Sequence, residues 1–133
     1  MDNNSLKLKY NATIKGIIIF YGLLLLNIGL IVAKNAGKLH TVFGVFFSHI
    51  SNFFITSILM SIISLIWLLQ GAPFKLIIWL GIIAITLNFV IELFVHFMNT
   101  PDIMDAVYGT TGVIITILAM WLIKMVGLKE AAV

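Results

Sequence analysis

The stretch LNFVIELFVHFMNTPDIMDAVYGTTG, Leu87 to Gly112, holds the end of one apolar run, a four-residue break and the start of another. Asn99, Thr100, Pro101 and Asp102 form that break: the residue before a proline is turned away from helical geometry, and aspartate is a preferred N-cap for a helix starting at Ile103. A connector this short makes the flanking helices double back on each other. The runs on either side are apolar on all faces over about twenty residues, the length a helix needs to cross roughly 30 Å of hydrocarbon.

The rest of the chain has the same character. Of 133 residues, 62% are hydrophobic and only 10% charged, which is more apolar surface than a soluble domain of this size can bury. The expected fold is an all-α membrane protein, a single domain over residues 1–133, with four transmembrane helices at about 16–33, 42–69, 74–98 and 103–126. The Gln70 to Pro73 segment separates the second span from the third, as Gly and Pro should. A signal peptide would share the basic start of the first span but carry a shorter apolar region. Strands of a membrane barrel would alternate apolar and polar residues, and these runs do not.

The +3 net charge comes from eight lysines and no arginine, so the chain lacks the planar forks that grip nucleic acid. The lysines read instead as topology signals. Lys7, Lys9 and Lys15 precede the first span, Lys75 sits between the second and third, and Lys124 and Lys129 lie at or after the end of the fourth; Lys34 and Lys38 fall in the first connector. The majority side is expected to be cytoplasmic, giving an antiparallel bundle with both termini inside. Asn11 to Thr13 matches a glycosylation acceptor, but that orientation leaves it on the wrong side. The absence of cysteine excludes disulfides and thiolate chemistry.

Against this background the polar residues of the spans are the candidate functional residues. Asn88, Glu92 and His96 are spaced by four and share one helix stripe, continued by Asn99. A carboxylate in hydrocarbon costs at least a few kcal/mol unless paired, protonated or hydrated, so Glu92 should face other helices or a wet cavity. Asp102 fits a cap, and Asp105 lies in the first turn of the fourth helix, where the dipole favours negative charge. Gly109 and Gly112 follow on the same face and permit close approach of a helix or a ligand. On the second helix His49, Asn52 and Thr56 fall at three and four, at the depth of Glu92, while Ser57, Ser61 and Ser64 read as small-residue packing. Together His49, Asn52, Asn88, Glu92, His96, Asp102 and Asp105 are expected to line an outward-facing polar pocket among three helices. The competing reading is a Glu92 paired with His96 or His49 that fixes helix register. A metal held by His49, Glu92, His96 and Asp105 is chemically reasonable, but nothing demands one, and no cofactor is indicated.

The segment VIELFVHFMNTPDIMDAVYGTTG resembles the VanZ-like family of small bacterial membrane proteins. That family's pattern is a glutamate near a helix end, a short connector with an arginine, then two acids three apart followed by Asn and two glycines. Glu92 matches the glutamate, Asp102 and Asp105 the acids, Gly109 the asparagine position and Gly112 the first glycine, with Asn52 matching an asparagine that opens an earlier helix. The arginine is absent, the connector is shorter, and His96 stands near a position where glutamine is usual. The missing arginine counts against any role that needs a fixed anion clamp. The resemblance implies a helical protein of the bacterial cytoplasmic membrane in a family associated with low-level resistance to lipid-tailed glycopeptide antibiotics. Asn, Lys and Ile usage without arginine is also the composition of an AT-rich bacterial gene.

The leading expectation is therefore a non-enzymatic envelope protein whose pocket binds a lipid headgroup, a lipid-tailed antibiotic or a partner helix. The bilayer itself is the first partner, and a second copy or another membrane protein is left open. A small proton-coupled multidrug exporter also needs four helices and a deep carboxylate, but carries its acid on the first helix, where this chain has only Asn27. An intramembrane hydrolase or acyltransferase would use Glu92 with Asp105 as a carboxylate pair and His96 as base. A structural subunit of a larger membrane complex is the fourth reading.

Overall fold

The computed structural model describes residues 8–36, 40–94 and 102–131. Its elements are β1 (Tyr10–Ala12), α1 (Ile14–Asn35), α2 (His40–Leu69), α3 (Phe74–Phe94), α4 (Ile103–Val126) and β2 (Leu128–Glu130). All four helices contain a stretch long and apolar enough to cross a membrane. Their outward faces carry Ile18, Leu25, Ile55, Leu59, Ile83 and Leu118, each more than half exposed. Such surface is stable against lipid, where the helical backbone satisfies its own hydrogen bonds.

Local chemistry sets the helix ends. Thr13 caps α1, its hydroxyl accepting from the Gly16 N–H at 3.3 Å. After α2, Ala72 N–H donates to Trp67 O and Gly71 N–H to Leu68 O, with Gly71 at φ 80°. These are the two bonds of a Schellman stop, which needs a left-handed residue, and glycine takes that conformation at no steric cost. Pro73 comes next and α3 starts at Phe74. Asp102 caps α4 by accepting from the Met104 N–H at 2.9 Å. The apolar run of the third span extends to about 98 in sequence; α3 is described to Phe94, and residues 95–98 lie outside the described residues.

α4 is the best-buried helix, with 39% of its apolar window inside, and it packs chiefly against α2. α3 is the most peripheral, at 11%. Leu23, Leu68, Ile77, Met120 and Ile123 form one apolar layer, and Phe47, Ile50 and Phe53 form another. Between them lies a polar one. Asn27 Nδ2 donates to Leu23 O at 2.9 Å and to Ser57 Oγ at 3.0 Å, and Ser57 Oγ is 3.0 Å from Thr116 Oγ1, all three residues being fully buried.

The expected all-α chain is amended at its ends. β1 pairs antiparallel with β2, Tyr10 facing Glu130 and Ala12 facing Leu128. Thr13 N–H donates to Gly127 O at 2.8 Å, Ala131 N–H to Lys9 O at 3.0 Å, and Lys9 N–H to Leu69 O at 2.9 Å. This clasp ties the entrance of α1 to the exits of α4 and α2. The bonds are backbone to backbone between segments far apart in the chain, so side-chain pattern carries no trace of them.

Candidate functional site

At the end of the molecule away from the clasp, the start of α4 meets α2 and α3. Asp105 sits in the first turn of α4, positioned by its own N–H donating to Asp102 O at 2.9 Å. Its Oδ1 lies 2.8 Å from His49 Nδ1 on α2, with both side chains mostly buried. The other ring nitrogen, Nε2, is 3.8 Å from Asp102 Oδ2. That distance is beyond a hydrogen bond and within ion-pair reach when the ring is protonated. The ring also leans on Tyr108, centroids 5.5 Å apart. His49 is thus held between two carboxylates of one helix turn, a geometry that orders the first turn of α4 against α2.

Glu92 reaches the same turn from α3. Its Oε2 accepts from the Asp102 N–H at 3.3 Å, one of the free amides at a helix start. One turn back along α3, the Asn88 amide lies against Gly109, where a Cβ would come within 2.5 Å of Nδ2. Asn88 Nδ2 is buried and has no hydrogen-bond partner among the described residues. Gly112 lets α4 close on α2: a Cβ there would stand 2.6 Å from the backbone oxygen of Phe53, next to Asn52.

Beside this junction lies a cavity of about 160 Å³ lined by Asn52, Thr56, Asn88, Glu92, Asp105 and Ala106, with Ile55 and Ile91 at its walls; His49 and Asp102, expected to line it, instead hold Asp105 and cap α4 from outside the lining. Two carboxylates, two carboxamides and a hydroxyl face one small space. Chemically it can accept hydrogen bonds from a cationic or N–H-rich group through the carboxylates. Among the described residues no three His, Asp or Glu side chains are placed to hold one metal ion; the ligand set that the sequence suggests also includes His96.

Of the residues singled out from sequence, the structure brings His49, Asn52, Asn88, Glu92, Asp102, Asp105, Gly109 and Gly112 to one end of three helices. His96 and Asn99 lie outside the described residues. For one arm of the register-fixing alternative the pairing differs, since the partner of His49 is Asp105 and Glu92 takes the Asp102 amide; the other arm, Glu92 with His96, lies outside the described residues. Two features escape the sequence reading. Lys34 falls in the first connector by sequence, yet it sits in the last turn of α1 and donates from Nζ to Ser51 Oγ at 2.6 Å and to Ser48 O at 3.3 Å on α2. Ser57 has the spacing of plain packing, yet it joins Asn27 to Thr116. A signal for it exists, since Asn27 and Thr116 interrupt their apolar runs at the depth of Ser57.

Comparison of the chain with protein-family models, curated proteins and solved structures finds no match.

Proposed function

We propose that this chain is a non-enzymatic, VanZ-like protein of the bacterial cytoplasmic membrane whose acidic pocket opens outward and binds the amine-bearing polar end of a lipid or a lipid-tailed glycopeptide. The observation that carries the reading is the cavity itself, where Glu92 and Asp105 converge at the junction of three spanning helices, lined also by Asn52, Thr56 and Asn88. The carboxylates give the site its preference for a cation over a phosphate. In this reading the helices form an antiparallel up-and-down bundle with both termini inside. Its supports are the excess of lysine around the clasp and the pairing of the two chain ends there. The buried, hydrogen-bonded Asn27, Ser57 and Thr116 layer below the pocket acts as a floor, which suits binding better than passage. The motif positions Glu92, Asp102, Asp105, Gly109 and Gly112 all contribute to this one corner, as a shared role requires.

The test is the susceptibility of cells expressing wild type, Glu92→Gln or Asp105→Asn at matched membrane levels, challenged with a lipid-tailed glycopeptide and with lipophilic cations. Protection against the glycopeptide alone, lost in both variants, is expected. Protection against the cations that disappears with Glu92 and with the proton gradient would replace binding by export, and no protection against either would refute the assignment.

A further inference from the structure

The clasped end carries a second amphiphilic site, independent of the acidic pocket. Where α1 begins and α4 ends, Thr13, Ile14, Lys15, Ile17, Val126 and Lys129 line an open cavity of about 540 Å³. Its walls are apolar and uncovered, Ile14 being 76%, Ile17 44% and Val126 50% exposed. Its polar contributors are the side chains of Lys15, Lys129 and Thr13; Lys129 reaches the entrance of α1 because it lies in β2, which the ladder sets beside β1. Glu130, the next residue along that strand, is exposed, and among the described residues neither Lys15 nor Lys129 has a carboxylate partner. The remaining described lysines of this end are otherwise engaged or placed: Lys124 stands over the Phe74 ring at 5.3 Å, Lys9 over Tyr10 at 5.4 Å, and Lys75 lies in the first turn of α3.

We infer that this cavity binds an anionic phospholipid, its phosphate between Lys15 and Lys129 and the start of its acyl chain along Ile14, Ile17 and Val126. The chemistry is that of a bilayer amphiphile: a negative headgroup at the interface above an apolar stem. Lysine suits it as a compact charge on an apolar tether that reaches the interface while its methylenes stay in lipid. Basic cavities between spanning helices recognise acidic headgroups, and each lysine near an anionic surface strengthens attraction by roughly fivefold. The alkyl walls explain why a whole lipid, and not free phosphate, is the occupant: they stay unfilled unless hydrocarbon accompanies the charge.

Native mass spectrometry of the full-length chain in detergent tests this with phosphatidylglycerol, phosphatidylcholine and inorganic phosphate as probes. Tight binding of phosphatidylglycerol is expected, with phosphatidylcholine far weaker and phosphate not retained. The Lys15→Gln/Lys129→Gln variant should weaken phosphatidylglycerol binding roughly 25-fold, whereas Lys75→Gln/Lys124→Gln, with the same loss of charge at the same end, should leave most of it. Ile17→Trp, which crowds the apolar wall and keeps both lysines, should also weaken it. Equal losses in the two lysine pairs would reduce the site to general surface charge and overturn the inference, as would equal retention of phosphatidylcholine or a matching response to free phosphate.

Discussion

His49 and Asp105 show how two side chains can register helices that run side by side in a membrane. An imidazole between Asp105 and Asp102 ties the first turn of α4 to α2, and the Asp102 amide passes the connection on to Glu92. The two glycines of the same face have different roles, and their substitutions should separate them. At Gly109 an added methyl meets the end of the Asn88 side chain, which can swing away; at Gly112 it meets the Phe53 backbone oxygen, which cannot. Alanine gains up to about 1 kcal/mol over glycine in a helix, so Gly109→Ala should be close to neutral in stability while displacing Asn88 from the cavity. Gly112→Ala should cost roughly 1–3 kcal/mol, because the α2 backbone must move. Thermal unfolding of the two variants in one detergent compares them directly, and a Gly109→Ala as damaging as Gly112→Ala would mean that Asn88 is held rigidly.

At the scale of elements, the spans are legible in sequence because each is an apolar run bounded by residues that stop helices: Gln70 to Pro73 behind α2 and Asp102 ahead of α4. The depth of each polar residue is legible too, since helical rise converts sequence number into height. What sequence does not supply is azimuth. Height alone places His49, Glu92 and Asp105 in one layer, but which of them touch depends on α4 lying between α2 and α3, a result of side-chain packing over whole helices. The same gap hides the Asn27, Ser57 and Thr116 layer. Interhelical hydrogen bonds in membranes average about 0.6 kcal/mol and reach about 1.7. Ser57→Ala should fall in that range, because Asn27 keeps its bond to Leu23 O and Thr116 can donate to the residue 57 carbonyl at 3.3 Å. Chemical denaturation in mixed micelles measures it; a loss well above about 2 kcal/mol would make this layer the keystone of the bundle.

For the molecule as a whole, two opposite ends have opposite chemistry. One gathers the acids Glu92, Asp102 and Asp105 around His49, with Lys34 on the neighbouring turn; the other gathers the clasp, Lys9, Lys15, Lys75, Lys124 and Lys129. The clasp is invisible in the residues that form it, yet it makes that lysine cluster compact by holding the first and last helices together. An acidic end facing outward and a basic end facing the cytoplasm is the arrangement on which the proposed binding pocket depends. The chain has no cysteine, so single cysteines report on it without background. The decisive measurement is labelling of Thr56→Cys, in the pocket, and Glu130→Cys, in the clasp, by a small membrane-impermeant cationic thiol reagent on intact cells. The expected result is reaction at Thr56→Cys from outside and at Glu130→Cys only after the membrane is opened; the reverse pattern would contradict an outward-facing pocket.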